Sequence, residues 1–273
     1  MVVILLSCLQ DGLRMKERRR AKIAAISCTH APFTPSGTHE WLLRTLSDID
    51  GLTHFGHLGD VFEAGAASVH ANEHDHALVD EYEAAAGLLR DIRGVLPPDC
   101  VRWINTGNHD DNLQAADPRR IPKALRGMVH WNNHPEFGEE FREWSWLPYE
   151  KSRRAIMRIG QAHFWHGFDA GANSDELEGI QMVAQAGWIP HSLAVRGHTH
   201  RPVPPTQAKR TAKIPLPYWF ANVGTCGPLN PEWAKRKDTS QWGSSIIVVE
   251  AVWDKPSRLT GKCWDAQMIR MQP

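Results

Sequence analysis

Side chains that can bind metal ions recur in short clusters along this chain of 273 residues. Each cluster follows a short apolar stretch and contains glycine, histidine or both. The clusters are Cys28-Thr29-His30, Gly59-Asp60, Gly107-Asn108-His109-Asp110, His166-Gly167 and Gly197-His198-Thr199-His200. Together they offer sulfur, nitrogen and oxygen donors, the ligand atoms of transition-metal sites. This set is too large for one tetrahedral ion and suits two ions that share a carboxylate.

Such a pair of ions has a defined chemistry. Two divalent ions roughly 3.5–4 Å apart can hold a hydroxide between them and bind both oxygens of a phosphoryl displacement. A carboxylate is the natural bridge, because each of its two oxygens can bind one ion. Asp60 is the acidic residue that directly ends an apolar stretch ahead of the Gly-Asn and Gly-His clusters, so we predict that it bridges the two ions.

The elements that position these clusters alternate between strands and helices. The apolar stretches are short, β-prone and bounded by glycine, which predicts buried strands. Helical periodicity covers residues 38–49, 72–92 and 174–187, and Ser174 is the predicted N-cap of the last helix. This alternation predicts an α/β fold with a largely parallel sheet. Ligands gather beyond the carboxyl ends of such strands, so we expect all five clusters to face one crevice.

The C-terminal third has a different pattern. Residues 218–228, 244–253 and 261–270 have strand character without intervening helices, which predicts a second sheet packed on the first. We therefore predict a single domain over 21–273, preceded by an N-terminal extension over 1–20. Within the domain, about 111–150 is an aromatic-rich insertion near the site. Its aromatic residues form either a wall that stacks an aryl group or, as aromatic residues more often do, a local core.

Composition limits the partners of the chain. Lys and Arg (31) balance Asp and Glu (31), so long nucleic acids are not favoured, and the small apolar N-terminal stretch is too short to cross a bilayer. Five scattered cysteines do not form a disulfide pattern, which favours a reducing, cytoplasmic setting. We therefore expect a small phosphoester as the partner and no membrane. The oligomeric state is left open.

Four of the clusters, in their order along the chain, resemble the motifs of the calcineurin-like metallophosphoesterase superfamily. These motifs are "GDVFE" (59–63), "GNHDD" (107–111), "HG" (166–167) and "GHTH" (197–200). The stretch "NVGTCGP" (222–228) is similar to the closing Asn-x-Gly turn of the family. The first family motif is Asp-x-His, and the aligned residues here are Cys28-Thr29-His30. The resemblance covers roughly Ile23 to Pro228.

The resemblance implies a four-layer αββα sandwich of two mixed β-sheets flanked by helices, with a dinuclear metal site at the strand ends. It implies that His109 contacts the phosphate and protonates the leaving alkoxide, and that Asp110 orients His109. The first ion would be held by Cys28, His30, Asp60 and His200, and the second by Asp60, Asn108, His166 and His198. The ions would be divalent: Mn²⁺, Zn²⁺ or Fe²⁺. The implied activity is hydrolysis of a phosphodiester or phosphomonoester by attack of a metal-bridging hydroxide.

Cys28 leaves three interpretations open. Its thiolate is a metal ligand, which suits Zn²⁺ and Fe; or the first site is impaired; or the domain is a non-catalytic, protein-binding module. We favour the thiolate ligand, because every other ligand is present and a binding module has no chemical need for His109. A nuclease on DNA or RNA is the alternative enzyme. A purely structural role can explain any one of these polar residues, but it is a poor explanation for all of them together.

Overall fold

The computed structural model describes residues 19–65, 77–114, 130–187, 190–209, 217–231, 234, 238–253 and 261–272. The strands are β1 (Arg19–Ile26), β2 (His54–His57), β3 (Val101–Asn105), β4 (Ser145–Leu147), β5 (Met157–Ile159), β6 (Ala162–Phe164), β7 (Leu193–Arg196), β8 (Pro202–Gln207), β9 (Trp219–Val223), β10 (Ser245–Trp253) and β11 (Trp264–Arg270). The helices are α1 (Ser36–Ser47), α2 (Leu78–Val95), α3 (Asn108–Gln114), α4 (Gly138–Arg142) and α5 (Ser174–Gln185). No helix within these ranges has the length and apolar character that crossing a membrane requires.

The first sheet has six strands in the order β11-β10-β1-β2-β3-β4. Strands β1 to β4 are parallel, as the alternation of strands and helices predicts. Strand β10 pairs antiparallel with β1, and β11 pairs antiparallel with β10. The expectation that 244–253 and 261–270 belong to a second sheet is therefore wrong. The apolar β10 instead completes the first sheet by pairing with β1 from Arg19↔Trp253 to Ala25↔Ile247.

The second sheet has five strands in the order β5-β6-β7-β9-β8. Strands β6, β7 and β9 are parallel, and β5 and β8 are antiparallel edge strands. Of the three C-terminal stretches, 218–228 alone supplies this sheet, through β9. Both sheets are therefore mixed.

Alternating side chains of β1 show how the two sheets stack. Ile23 and Ala25 join a core that includes Leu193 and Val195 of the second sheet, so they lie between the sheets. Ala24 and Ile26 point to the other face of the first sheet, in the core shared with α1 and α2. This is the two-residue period of a strand buried on both faces.

Helix α5 covers the outer face of the second sheet. Met182 and Val183 pack against Trp165 and Ala194 there. The layers are thus helix, sheet, sheet, helix, and the four-layer αββα sandwich of two mixed sheets is confirmed. The helix begins at Ser174, with Asn173 in the N-cap position and no side-chain cap. The prediction of Ser174 as N-cap was one residue late.

Two other boundaries differ from expectation. Strand β1 begins at Arg19, two residues inside the predicted extension of 1–20, whose residues 1–18 lie outside the described ranges. The predicted helix at 72–92 is α2, which runs from Leu78 to Val95, and 72–76 also lie outside these ranges.

The aromatic residues of the predicted insertion mostly form a core. Trp131, Phe141 and Trp144 are buried, and the rings of Trp131 and Phe141 both lie 5.4 Å from Phe62. Tyr149 differs, because its ring lies 6.0 Å from that of His166. Residues 115–129 of the insertion lie outside the described ranges.

Candidate metal centre

The five clusters follow the carboxyl ends of five parallel strands. Cys28 and His30 follow β1, Asp60 follows β2, and Asn108 follows β3 in the first sheet. In the second sheet, His166 follows β6, and the two histidines of "GHTH" follow β7. Because the strand ends of both sheets open on the same side, these side chains converge, as the fold class predicts.

Asp60 is the residue that the two halves of the cluster share. Its Oδ2 atom lies 3.1 Å from Nε2 of His166 on one side. On the other side it lies 3.9 Å from Nε2 of His30 and 4.0 Å from Sγ of Cys28. Its Oδ1 atom instead accepts the backbone N–H of His109 at 3.0 Å. One carboxylate oxygen therefore faces both groups of donors, where the sequence suggested one oxygen for each ion.

The first group of donors comprises Cys28, His30, Asp60 and His200. One atom of each lies within 4.8 Å of every other, and all four residues are buried. Nε2 of His30 lies 3.2 Å from Nε2 of His200, so these two rings meet edge on at their nitrogen atoms. Ser27 Oγ lies 3.0 Å from the Cys28 sulfur.

The second group comprises Asp60, His166 and His198, with Asn108 beside them. The first three residues also place one donor atom each within 4.8 Å of the others. Nε2 of His166 lies 3.2 Å from Nδ1 of His198 and 3.1 Å from Oδ1 of Asn108. Nδ1 of His166 donates to the carbonyl of Leu58 at 2.5 Å, which leaves Nε2 as the lone-pair nitrogen.

The backbone at this site is held in an uncommon conformation. Five residues of the two groups have positive φ angles of 49–70°, a region that non-glycine residues seldom adopt. They are Cys28, His30, Asp60, His198 and His200. Such strain clusters at functional sites, where the surrounding structure must enforce it.

Gly107 shows how closely the loops approach. A Cβ atom there would lie 2.2 Å from Oδ1 of Asp60. The glycine of the "GNHDD" motif is therefore needed for space beside the shared carboxylate.

Burial and neighbouring charges set the protonation states of the donors. Burial lowers the pKa of His198 to about 3 and, with His30 nearby, lowers that of His200 well below its usual value. Burial opposes the charge of Asp60, but His166 and His109 hold its pKa well below the usual range. His198 and His200 are therefore neutral and Asp60 is ionised, the forms that bind metal. Burial opposes the charge of His30, but Cys28 and Glu63 raise its pKa well above the usual value, so a metal that binds His30 must displace a proton. Burial raises the pKa of the Cys28 thiol, so a cation must displace its proton.

His109 lies at the edge of the donor groups and lines a cavity of about 340 Å³ with Asp60 and His198. Its Nδ1 lies 2.7 Å from the backbone carbonyl of Glu63, which accepts a proton but cannot donate one. Nδ1 therefore carries the ring proton. Its Nε2 atom is then the nitrogen that can exchange a proton.

Asp110 does not have the position that the sequence suggested. Its carboxylate accepts four backbone N–H groups, at 2.8–3.0 Å, and none of these contacts involves the His109 ring. The donors are Asp60, Val61, Phe62 and Gly107. The prediction that Asp110 orients His109 is therefore corrected: Asp110 fixes the loop that carries Asp60.

Glu63 is the carboxylate that contacts the histidines, and sequence analysis gave it no role. Its Oε2 atom lies 2.8 Å from Nδ1 of His30, and its Oε1 atom lies 3.8 Å from Nδ1 of His109. A carboxylate on one ring nitrogen orients the other nitrogen toward a metal. The signal for this residue was its place in "GDVFE", three residues after Asp60.

Asn222 and Thr225 brace the loops from the closing turn. The Asn222 amide donates to the carbonyl of Gly197 and to Thr199, both at 2.8 Å, inside the "GHTH" loop. The Thr225 hydroxyl donates to the carbonyl of Cys28 at 2.8 Å. The "NVGTCGP" motif thus ties both sheets' ligand loops together.

This arrangement suits metal ions. Ligand atoms lie about 2.0–2.3 Å from a bound ion, so two ligand atoms on opposite sides of it are at most about 4.6 Å apart. The donor atoms of each group lie within 4.8 Å of one another, which is close to this limit. The first group is buried and so is the second, except for the half-buried His198. Each group contains a neutral imidazole, His200 in the first and His198 in the second, and the ionised Asp60 lies between them. The described residues therefore offer two sets of donors that share Asp60 and could hold divalent ions. A third set, His30, Glu63 and His109, shares His30 with the first.

Comparisons with known proteins find partial likenesses to solved structures. No protein-family model and no curated protein matches the chain by sequence. Vps29 of Chaetomium thermophilum is similar over 92% of this chain and 93% of its own, at 11% identity and a TM-score of 0.39. Purple acid phosphatase PPD1 from yellow lupin seeds is similar over 93% of this chain and 54% of its own, at 14% identity and a TM-score of 0.44.

Proposed function

We propose that this protein is a metal-dependent phosphoesterase that hydrolyses a phosphodiester or phosphomonoester. The observation that carries the proposal is the position of Asp60, whose Oδ2 atom faces both donor groups while its Oδ1 atom holds the backbone of His109. One carboxylate thus links two metal-binding groups to a histidine that can transfer a proton. Two-metal hydrolysis of phosphate esters uses this combination.

We assign the ligands as the family resemblance implies. Cys28, His30, Asp60 and His200 would hold one divalent ion, and Asp60, Asn108, His166 and His198 the other. Such ions supply Lewis-acid activation of water and neutralise charge on the phosphoryl oxygens. The uncharged rings of His198 and His200 and the ionised Asp60 have the protonation states that bind such ions.

His109 is the proton donor of the proposed reaction. Its Nδ1–H is engaged by the Glu63 carbonyl, so a second proton on Nε2 makes the ring an acid that faces the cavity. It would bind a phosphoryl oxygen and give this proton to the leaving alkoxide. A low-pKa leaving group needs no such proton.

His109 also favours an enzyme over a binding module. Its side chain is 24% exposed and lines the cavity. It is held by Asp60 and Glu63 but belongs to neither of the two donor groups that share Asp60. A module that only binds a protein partner has no chemical use for this placement.

The test is elemental analysis of the purified protein together with assays on an aryl phosphodiester and an aryl phosphomonoester. We expect bound divalent metal and hydrolysis of at least one ester, abolished by chelator and restored by Mn²⁺ or another divalent ion. Two bound ions without turnover of either ester would favour the binding module.

A further inference from the structure

A cleft of about 1050 Å³ lies beside the candidate metal centre. The smaller cavity that contains Asp60 and His109 has about 340 Å³. Arg201 and Trp242 line both, so the two cavities meet at these side chains. A single ligand could therefore occupy both the cleft and the cavity at the metal centre.

The cleft walls are largely apolar. Val203, Pro228, Leu229 and Met271 line the cleft with Trp242, and Leu229 is 39% exposed there. The Trp242 ring lies 4.3 Å from the ring of His200, so an aromatic face is fixed directly beside a proposed metal ligand. Large apolar or aromatic groups are what such walls bind.

Two arginines give the cleft a positive charge. Arg201 donates to the backbone carbonyls of Ala170 and Gly171, at 3.2 and 3.1 Å. Arg270 donates to the carbonyl of Pro202 at 2.9 Å. Each guanidinium is anchored through one nitrogen, and no other described residue accepts its remaining N–H groups, which suit an anion.

The carboxylates near these arginines are engaged elsewhere. Asp175, at the cleft, accepts from Asn222 at 2.8 Å and lies 3.6 Å from Nε of Arg196. Asp238, at the smaller cavity, accepts the N–H of Ser240. Within the described parts of the chain, no ion pair joins Arg201 or Arg270 to a carboxylate. Among the described residues, the positive charge of the cleft is thus not taken up by a carboxylate.

We infer that this cleft binds the alcohol part of the phosphate ester, and that this part is large, mostly apolar and carries a negative charge of its own. The inference rests on the proposed phosphoesterase activity and names the substrate class of that site. Apolar walls bind the body of the group, Trp242 stacks on it, and Arg201 and Arg270 bind its anion. A small alcohol would make none of these contacts.

The cleft can be tested without catalysis. Chelator-treated protein is titrated with naphthalene-2-sulfonate and with its neutral counterpart naphthalene-2-sulfonamide, and binding is followed by calorimetry. We expect the sulfonate to bind about tenfold more tightly, and Arg270→Gln and Arg201→Gln each to reduce this preference several-fold. Lys262→Gln is the matched control outside the cleft, where Lys262 lies over Trp264.

Equal binding of the two probes would overturn the inference, because it would show an apolar docking groove without anion recognition. A sulfonate preference that survives both arginine substitutions would overturn it as well, because the anion would then bind elsewhere.

A substrate series tests the same idea with the leaving group held constant. Three 4-nitrophenyl phosphodiesters carry methanol, 2-naphthylmethanol or 6-carboxy-2-naphthylmethanol as the second alcohol. We expect kcat/KM to rise about tenfold at each step, mainly through KM, because the added contacts bind ground state and transition state alike. Arg270→Gln should abolish most of the gain from the carboxylate, and Trp242→Leu most of the gain from the naphthyl group.

The two proposals fail in different ways. Cleavage of all three diesters with equal kcat/KM would overturn the cleft inference and leave the phosphoesterase standing. Selective binding of the sulfonate without cleavage of any ester would overturn the phosphoesterase, and with it the ester in the cleft.

Discussion

The carboxylate of Asp110 accepts the backbone N–H of Asp60 at 2.9 Å, so one buried carboxylate fixes the loop that presents another. Both oxygens of Asp110 are used, because each accepts two backbone N–H groups. Burial, with Asp60 nearby, raises the pKa of Asp110 to about 6, while the N–H groups oppose this rise. The charge of Asp110 therefore depends on these four donors.

Asp110→Asn tests this loop-fixing role. The amide nitrogen of Asn is a donor and would face two backbone N–H groups, with which it cannot form hydrogen bonds. We therefore expect a loss of about 1–3 kcal/mol in the free energy of unfolding. Metal content should fall because Asp60 moves. Urea denaturation and elemental analysis would measure both, with the half-buried neighbour Asp111→Asn as control. A stable, metal-replete Asp110→Asn protein with slow turnover would restore the role that the sequence suggested.

The error about Asp110 has a simple physical origin. His109 and Asp110 are adjacent in sequence but lie in the first turn of α3, where neighbouring side chains point in different directions. Adjacency in a motif therefore does not predict contact. The contact of Glu63 with His30 depends on the folded course of the loop after β2, which no periodicity encodes.

The strand-end clusters were predictable for the opposite reason. Each follows an apolar strand of a parallel set, and parallel strands bring their carboxyl ends to one edge. The sheet to which β10 belongs was not predictable, since an antiparallel strand can complete either sheet and its pairing with β1 joins residues more than two hundred positions apart. The apolar periodicity and the parallel strand order predicted where the site forms. Pairing between segments distant in sequence determined how the surrounding structure holds the site.

Asp60→Asn tests the shared ligand. If the Asn oxygen faces the donor groups, its amide nitrogen faces the backbone N–H of His109, which is a donor too. If the amide is reversed, its nitrogen faces the metals and cannot bind them. We expect Asp60→Asn to lose most of both metals and essentially all activity, measured by elemental analysis and ester hydrolysis. Asn108→Ala, which removes a ligand of one ion, should lose less. Near-normal metal in Asp60→Asn would show that Asp60 does not bridge.

His109→Ala tests the proton donor. The variant should keep its metal, because His109 is not an assigned ligand, yet lose roughly 10²–10⁴-fold in kcat. The loss should shrink for leaving groups of low pKa, which depart without a proton. The measurement is kcat for a series of aryl esters of rising leaving-group pKa. His39→Ala, which removes a surface histidine paired with Asp91, is the control. A constant loss across the series would indicate phosphate positioning instead.

Glu63→Gln tests the carboxylate that the sequence did not assign. Glutamine keeps the shape but loses the charge that faces Nδ1 of His30 at 2.8 Å. We expect a 10–100-fold loss in metal affinity or activity, the usual effect of removing a carboxylate behind a ligating histidine. Competition with a metal-binding dye measures the affinity, and the exposed helix residue Glu83→Gln is the control. Unchanged affinity and activity would assign Glu63 to packing alone.

Cys28 is the ligand in which this chain departs from the family motif. Its sulfur lies in the donor group with His30, Asp60 and His200, and burial raises the pKa of its thiol. A metal that binds the sulfur must therefore release a proton near neutral pH.

Calorimetric titration with Zn²⁺ in buffers of different ionisation enthalpy should detect this proton. Cys28→Asp introduces a carboxyl, a stronger acid than the thiol, so it should release fewer protons and shift preference toward Mn²⁺ or Mg²⁺, which favour oxygen ligands. Cys28→Ser should weaken the first ion and spare the second, since a hydroxyl is a poor ligand. Cys263 lies outside the donor groups, so Cys263→Ser is the control.

Cobalt substitution supplies a direct readout of the sulfur. The parent protein should show a sulfur-to-cobalt charge-transfer band that is absent from Cys28→Ser and present in Cys263→Ser, because only a bound thiolate produces it. Thiol reagents should inactivate the metal-free protein and spare the loaded one. If the band is missing from the parent and Cys28→Ser keeps its full metal content, the sulfur is not a ligand, and His30, Asp60 and His200 hold the first ion without it.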